Sequence, residues 1–209
     1  MIKTYWTKPE IHEKFANCQN LGEVIKSIEA EFISHGEVVC EIRVNGLILK
    51  EEDEVKFAES KLTEINDLMV QTNAPQNLIT QALASALDYL PKCQAACIDC
   101  SELYRNAKVQ DAQQFFQDVV EGCFWLLDTV VHLRGAHEKI NHSVPVTGDW
   151  LKLEKKFVGD LKELLTASEK RDLILVADLL EYEMSNNLNE MIPVLRAYQD
   201  LGQEQSTSK

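Results

Sequence analysis

Four cysteines are the residues best suited to chemistry in this chain. Cys93, Cys97 and Cys100 form a C-x3-C-x2-C run, and Cys123 follows on the next apolar segment. Thiolates are nucleophiles, redox groups and soft metal ligands, so such a group points to zinc, copper, iron–sulfur or disulfide chemistry. Helical spacing decides which of them can act together. Seven residues of helix rise about 10 Å, so Cys93 and Cys100 cannot share one ion through bonds of about 2.3 Å. If the two segments form a hairpin turning near Val109, Cys123 comes level with residue 95. Cys93, Cys97 and Cys123 then approach one another across the hairpin. The plainer reading is a core that uses cysteine as a small apolar side chain.

The C-x3-C-x2-C spacing matches the radical-SAM iron–sulfur motif, but the match fails in its details. Asp99 precedes Cys100 where an aromatic is usual, the run lies within a helix, and 209 residues are few for the barrel of those enzymes. The histidines add nothing to a metal site. His132, His137 and His142 are five apart, which turns a helix by about 140° and scatters them over its faces. There is no H-E-x-x-H, no E-x-x-H, no glycine-rich phosphate loop and no G-x-S-x-G. No cofactor is expected, and catalysis has no linear signature. An enzyme with an unsignposted cleft between its two units stays open as a third reading.

Two features suit binding of another protein. Trp125 falls among Gln114, Asp118, Glu121 and His132, on the polar side of its helix. A large aromatic there is either covered by a neighbouring segment of the same chain or serves as an interface anchor. Between Arg171 and Arg196 no residue is basic, while Asp172, Asp178, Glu181, Glu183 and Glu190 are acidic. Asp178 and Glu181 are therefore candidate docking charges for a basic partner, against the alternative of a merely solvated face.

These residues must be held by helices. Ile79, Leu83, Ala86, Leu87, Leu90, Cys93, Cys97, Cys100 and Tyr104 recur at three and four over a first arm from Pro75 to Ala107. Pro91 should kink it. The second arm starts near Asp111 and carries Phe115, Phe116, Val119, Val120, Cys123, Phe124, Leu126, Leu127, Val130, Val131 and Leu133. That set fills half the circumference and predicts the central, most buried helix. A third helix follows Asp149, using Trp150, Leu153, Phe157, Leu161, Leu164 and Leu165. Ser168 marks a new start. The last stripe is the most regular: Leu173, Ala177, Leu180, Met184, Leu188, Met191, Leu195 and Tyr198, kinked at Pro193 or broken near Asn186-Asn187. Residues 203–209 are expected as a disordered tail.

Upstream the pattern changes. Leu21, Val24, Ile25, Ile28 and Phe32 predict an amphipathic helix ended by Gly36. Val38, Cys40, Ile42 and Val44 then alternate with Val39, Glu41 and Arg43 up to Asn45-Gly46, the strongest short-range hairpin signal. The run Glu51 to Glu54 suits a solvated loop better than a cation site. Lys56 to Asn66 predicts a short helix and Leu68 to Gln71 a third strand. Pro9 suits the start of a short helix, with Tyr5 and Trp6 tucked against the body.

The expected fold is α+β. A small helix-plus-antiparallel-sheet unit (1–72) leads into a mainly antiparallel bundle of four or five helices (73–209). The bundle resembles four-helix export chaperones and regulatory bundles in architecture alone, an analogy that carries no site across. Net charge is −13, which opposes nucleic acid and anionic membrane surfaces. No stretch reaches the ~20 apolar residues of a membrane span. The start carries no apolar signal core, so the cytoplasm is expected, with six cysteines read as thiols. The functional expectation is a non-enzymatic module that binds another protein, or a second copy of itself, as chaperone, adaptor or regulator. The alternative is a metal or redox protein using Cys93, Cys97 and Cys123.

Overall fold

The computed structural model describes residues 4–50, 56–140 and 148–207, with side chains at 137–140, 148 and 201–207 left aside. The acidic run at 51–54, the connector at 141–147 and His142 lie outside the described residues. Contacts divide the chain into two compact units, Met1–Leu78 and Ile79–Lys209.

The first unit sets two helices on one antiparallel sheet. Its strands are β1 (Tyr5–Thr7), β2 (Val38–Val44), β3 (Leu47–Ile48) and β4 (Asp67–Asn73), in the order β1-β4-β2-β3. Helices α1 (Lys8–Lys14) and α2 (Leu21–Ser34) cover one face. Trp6, Ile42, Val44, Leu68 and Val70 bury beneath them with Ile11, Val24, Ile28 and Phe32. The Asn45-Gly46 turn takes positive φ at both residues, as a two-residue hairpin demands. Asn45 also accepts from the Asn66 N–H at 2.7 Å and donates to the Glu64 carbonyl, fixing the turn to the approach of β4.

Three details depart from expectation. Tyr5–Thr7 is a fourth strand, pairing Trp6 with Leu68. The alternation in β2 breaks at a bulge between Val39 and Glu41, so Val39 packs inward and Cys40 is exposed. An extra residue in one strand reverses which face the following side chains meet. The helix expected over Lys56–Asn66 is reduced to residues 56–57 and a 3-10 turn, Leu62–Glu64.

The second unit is a bundle. Helix α3 (Pro75–Arg105) and α4 (Val109–Ile140) form the hairpin, turning at Ala107 in the left-handed region. α3 continues through Pro91. α5 (Gly148–Glu169) returns, and α6 (Leu173–Asp178) runs through a π-helical segment (Leu179–Met184) into α7 (Ser185–Thr207). The core gathers Leu83, Leu90, Phe116, Leu126, Phe157, Leu164, Leu180 and Leu188. Among the described residues no helix is long and apolar enough to cross a membrane.

Here too the corrections are physical. α4 buries one stripe (Ala112, Phe116, Val119, Cys123, Leu126, Val130, Leu133) with Phe115, Val120 and Leu127 partly buried beside it, and of the apolar set expected there only Phe124 is exposed. Asp172, not Ser168, starts α6, accepting from the Leu175 N–H at 3.1 Å after Arg171 takes a positive φ. The last irregularity is the π turn, placed before Asn186 and Pro193. One wide turn keeps Leu180, Met184 and Leu188 all buried on either side of it. Glutamines and Glu204 suit a continuing helix, and α7 runs to Thr207 where a tail was expected.

Candidate functional site

Cys93 and Cys97 lie one turn apart on α3 and face Cys123 on α4. The three sulfurs lie within 4.8 Å of one another, and Cys93 Sγ is 3.7 Å from Cys123 Sγ. All three are buried in the bundle core. The hairpin level read from the sequence therefore brings together the three cysteines expected. Cys100 stands apart: its thiol donates to the Ala112 carbonyl at 3.7 Å, and burial pushes it up to about 12.

The trio's thiols act on each other. Cys123 and Cys97 donate hydrogen bonds that favour ionisation at Cys93 and hold it below the usual thiol range. Cys97 is pushed up, because its hydrogen bonds to Cys123 and Cys93 hold its proton and burial adds to the effect. Cys123 is pushed up first by its bond to Cys93. Chemically the arrangement offers three sulfur ligands, or a thiol pair in contact at 3.7 Å that would have to close to about 2.05 Å to form a disulfide.

The outer side of the same turn of helix differs. Cys123 and Leu126 are buried, while Phe124 and Trp125 between them are 48% and 46% exposed. Trp125 packs edge-on against Tyr89 of α3, centroids 5.1 Å apart. Tyr89 reaches it because position 122 is glycine. A Cβ there would meet the Tyr89 hydroxyl and lie 3.3 Å from Cζ. Burial, then the neighbouring trio, raises the Tyr89 phenol. Asp118, Glu121 and Asp128 are exposed on the same side of α4, so the aromatic pair has an acidic surround. Trp125 thus combines both expectations: half covered by its own chain, half open. Phe124 beside it was placed in the core by the sequence pattern, which could not tell it from Cys123.

The acidic candidates sit elsewhere. Arg105 donates to Asp178 at 2.7 Å and pairs with Glu181 at 2.8 Å, with its guanidinium over the Tyr182 ring. Sixteen helical residues separate Arg105 from Tyr89, a rise of about 24 Å. Trp125 and the Asp178–Glu181 pair are therefore separate surfaces. Other acids of that run also have local roles: Asp172 caps α6, and Glu183 lies 3.9 Å from Lys156.

Residues 81–194 match the family described as a domain of unknown function, DUF8042. This chain belongs to that family. Residues 10–73 match the TP0873 N-terminal domain. No curated protein and no solved structure matches the chain. The cysteine trio, the Phe124–Trp125 pair, Asp178 and Glu181 all lie within the DUF8042 segment of the family match.

Proposed function

We propose that this protein is a non-enzymatic binding module of the cytoplasm, a chaperone, adaptor or regulator whose helical hairpin docks another protein. The observation that carries the reading is the outer turn of α4, where Phe124 and Trp125 stand side by side, half exposed. Aromatic anchors of this kind are enriched at interface hot spots. Tyr89 braces the Trp125 ring and so lowers the entropy lost on docking. Scattered exposed apolar residues such as Ile174 need no such explanation. The cytoplasmic placement is in keeping with six unbridged cysteines.

Charge selects the partner's chemistry. Asp118, Glu121 and Asp128 surround the aromatic pair, and the chain carries −13 overall. The fitting partner is an apolar segment flanked by lysine or arginine. Self-association through this face would set acid against acid, so a different protein is favoured over a second copy. The acids near Arg105 contribute less, because Asp178 and Glu181 are already paired.

Affinity capture from source lysate, repeated with Trp125→Ala and with Asp118→Asn/Glu121→Gln, tests the proposal. A reproducible partner is expected at low salt, lost with Trp125→Ala and weakened by salt or by the charge variant. No reproducible partner, or one indifferent to Trp125, counts against it.

A further inference from the structure

The cysteine trio supports an inference independent of docking. Three soft ligands from two helices already lie around one point, with no histidine or carboxylate in the group. Bonds of about 2.3 Å at angles near 100° set three sulfurs about 3.5 Å apart around a pyramidal three-coordinate centre. Cys93 and Cys123 are already at 3.7 Å, and no pair exceeds 4.8 Å. A small movement of the side chains closes the set. Among the described residues the group holds three ligands, and Cys100 is engaged with the Ala112 carbonyl.

Charge then discriminates among thiophilic ions. The site is buried among Leu90, Ala86, Val119 and Leu126, where net charge is costly. Three thiolates carry −3. Copper(I) would leave −2 and zinc(II) −1, and zinc also favours four ligands. A trivalent centre leaves zero, and its lone pair takes the place of a fourth ligand. We infer that Cys93, Cys97 and Cys123 form a site for a trivalent thiophilic metalloid, As(III) or Sb(III), held by three thiolates alone. Arsenous acid is uncharged at neutral pH, so it enters the core without the cost of burying an ion. Binding is condensation: three S–H and three As–O bonds break, three As–S bonds form, and three waters leave. No electron changes hands.

Purified, reduced full-length protein with sodium arsenite gives the test, alongside zinc(II) and copper(I) arms. Native mass spectrometry should find one arsenic per chain, thiol titration should fall by three, and the melting temperature should rise. Cys100→Ala, outside the trio, should keep this behaviour, and Cys123→Ala should lose it. If Cys123→Ala does not fold, X-ray absorption of the wild-type complex decides: three sulfur and no oxygen neighbours at arsenic are expected. No arsenic bound, tighter zinc or copper binding, binding retained in Cys123→Ala, or mixed sulfur–oxygen coordination would overturn the inference.

Discussion

Residues 123–126 pass in one helical turn from Cys123, fully buried, through the exposed Phe124 and Trp125, to Leu126, again fully buried. The inner side is apolar and buried; the outer side holds aromatics among carboxylates. The same hairpin thus offers two chemistries at one level, separated by the width of a helix. Gly122 sits between them, admitting Tyr89 as a brace for the outer ring. The contrast teaches that burial depends here on which helix faces a residue and not on hydrophobicity. Phe124 is more apolar than Cys123, yet it is the cysteine that is buried.

Substitutions on the two sides should differ in size. Leu126→Ala deletes a fully buried side chain, and urea denaturation should record a loss of about 3–4 kcal/mol. A loss below about 1 kcal/mol would mean that the inner side is loosely packed.

Alkali should act next, and chiefly from within. Burial raises the Cys100 thiol from 9.0 to about 12 and Tyr104 from 10.0 to about 12. The unfolded chain ionises these groups first, so it binds fewer protons and stability falls as pH rises. The fall should begin near pH 9 and continue to about pH 12, with a shallower slope in Cys100→Ala. An unchanged slope in that variant would break the assignment.

Gly122→Ala should cost about 1 kcal/mol net, since pushing Tyr89 aside outweighs alanine's helix propensity. Tyr89→Phe in the same chain should recover part of it, measured as a double-mutant cycle. Trp125→Ala should be mildest, about 1 kcal/mol or less, because it forfeits mainly the edge contact with Tyr89. A Trp125→Ala loss equal to that of Leu126→Ala would erase the distinction between the sides.

The sequence made the inner side readable and the outer side only partly so. Periodicity from Leu173 to Tyr198 fixed the last helix, and seven of those eight residues are buried, with Leu173 partly so. Hairpin arithmetic put Cys123 near Cys93 and Cys97, because helical rise is constant over such lengths. Trp125 stood out as a phase error. Phe124 did not, since a pattern of apolar residues carries no record of how many helices will cover them. The Arg105 pairs with Asp178 and Glu181 span more than seventy residues and have no local mark. A three-residue strand at Tyr5–Thr7 is too short to show alternation, and the bulge near Cys40 depends on its partner strand.

Tryptophan quenching tests the docking surface most directly, because Trp6 and Trp150 are buried and Trp125 is not. Acrylamide should reach one accessible tryptophan in the free protein, a component absent from Trp125→Ala and shielded when the captured partner is bound. A component that stays fully accessible in the complex would contradict docking at Phe124 and Trp125.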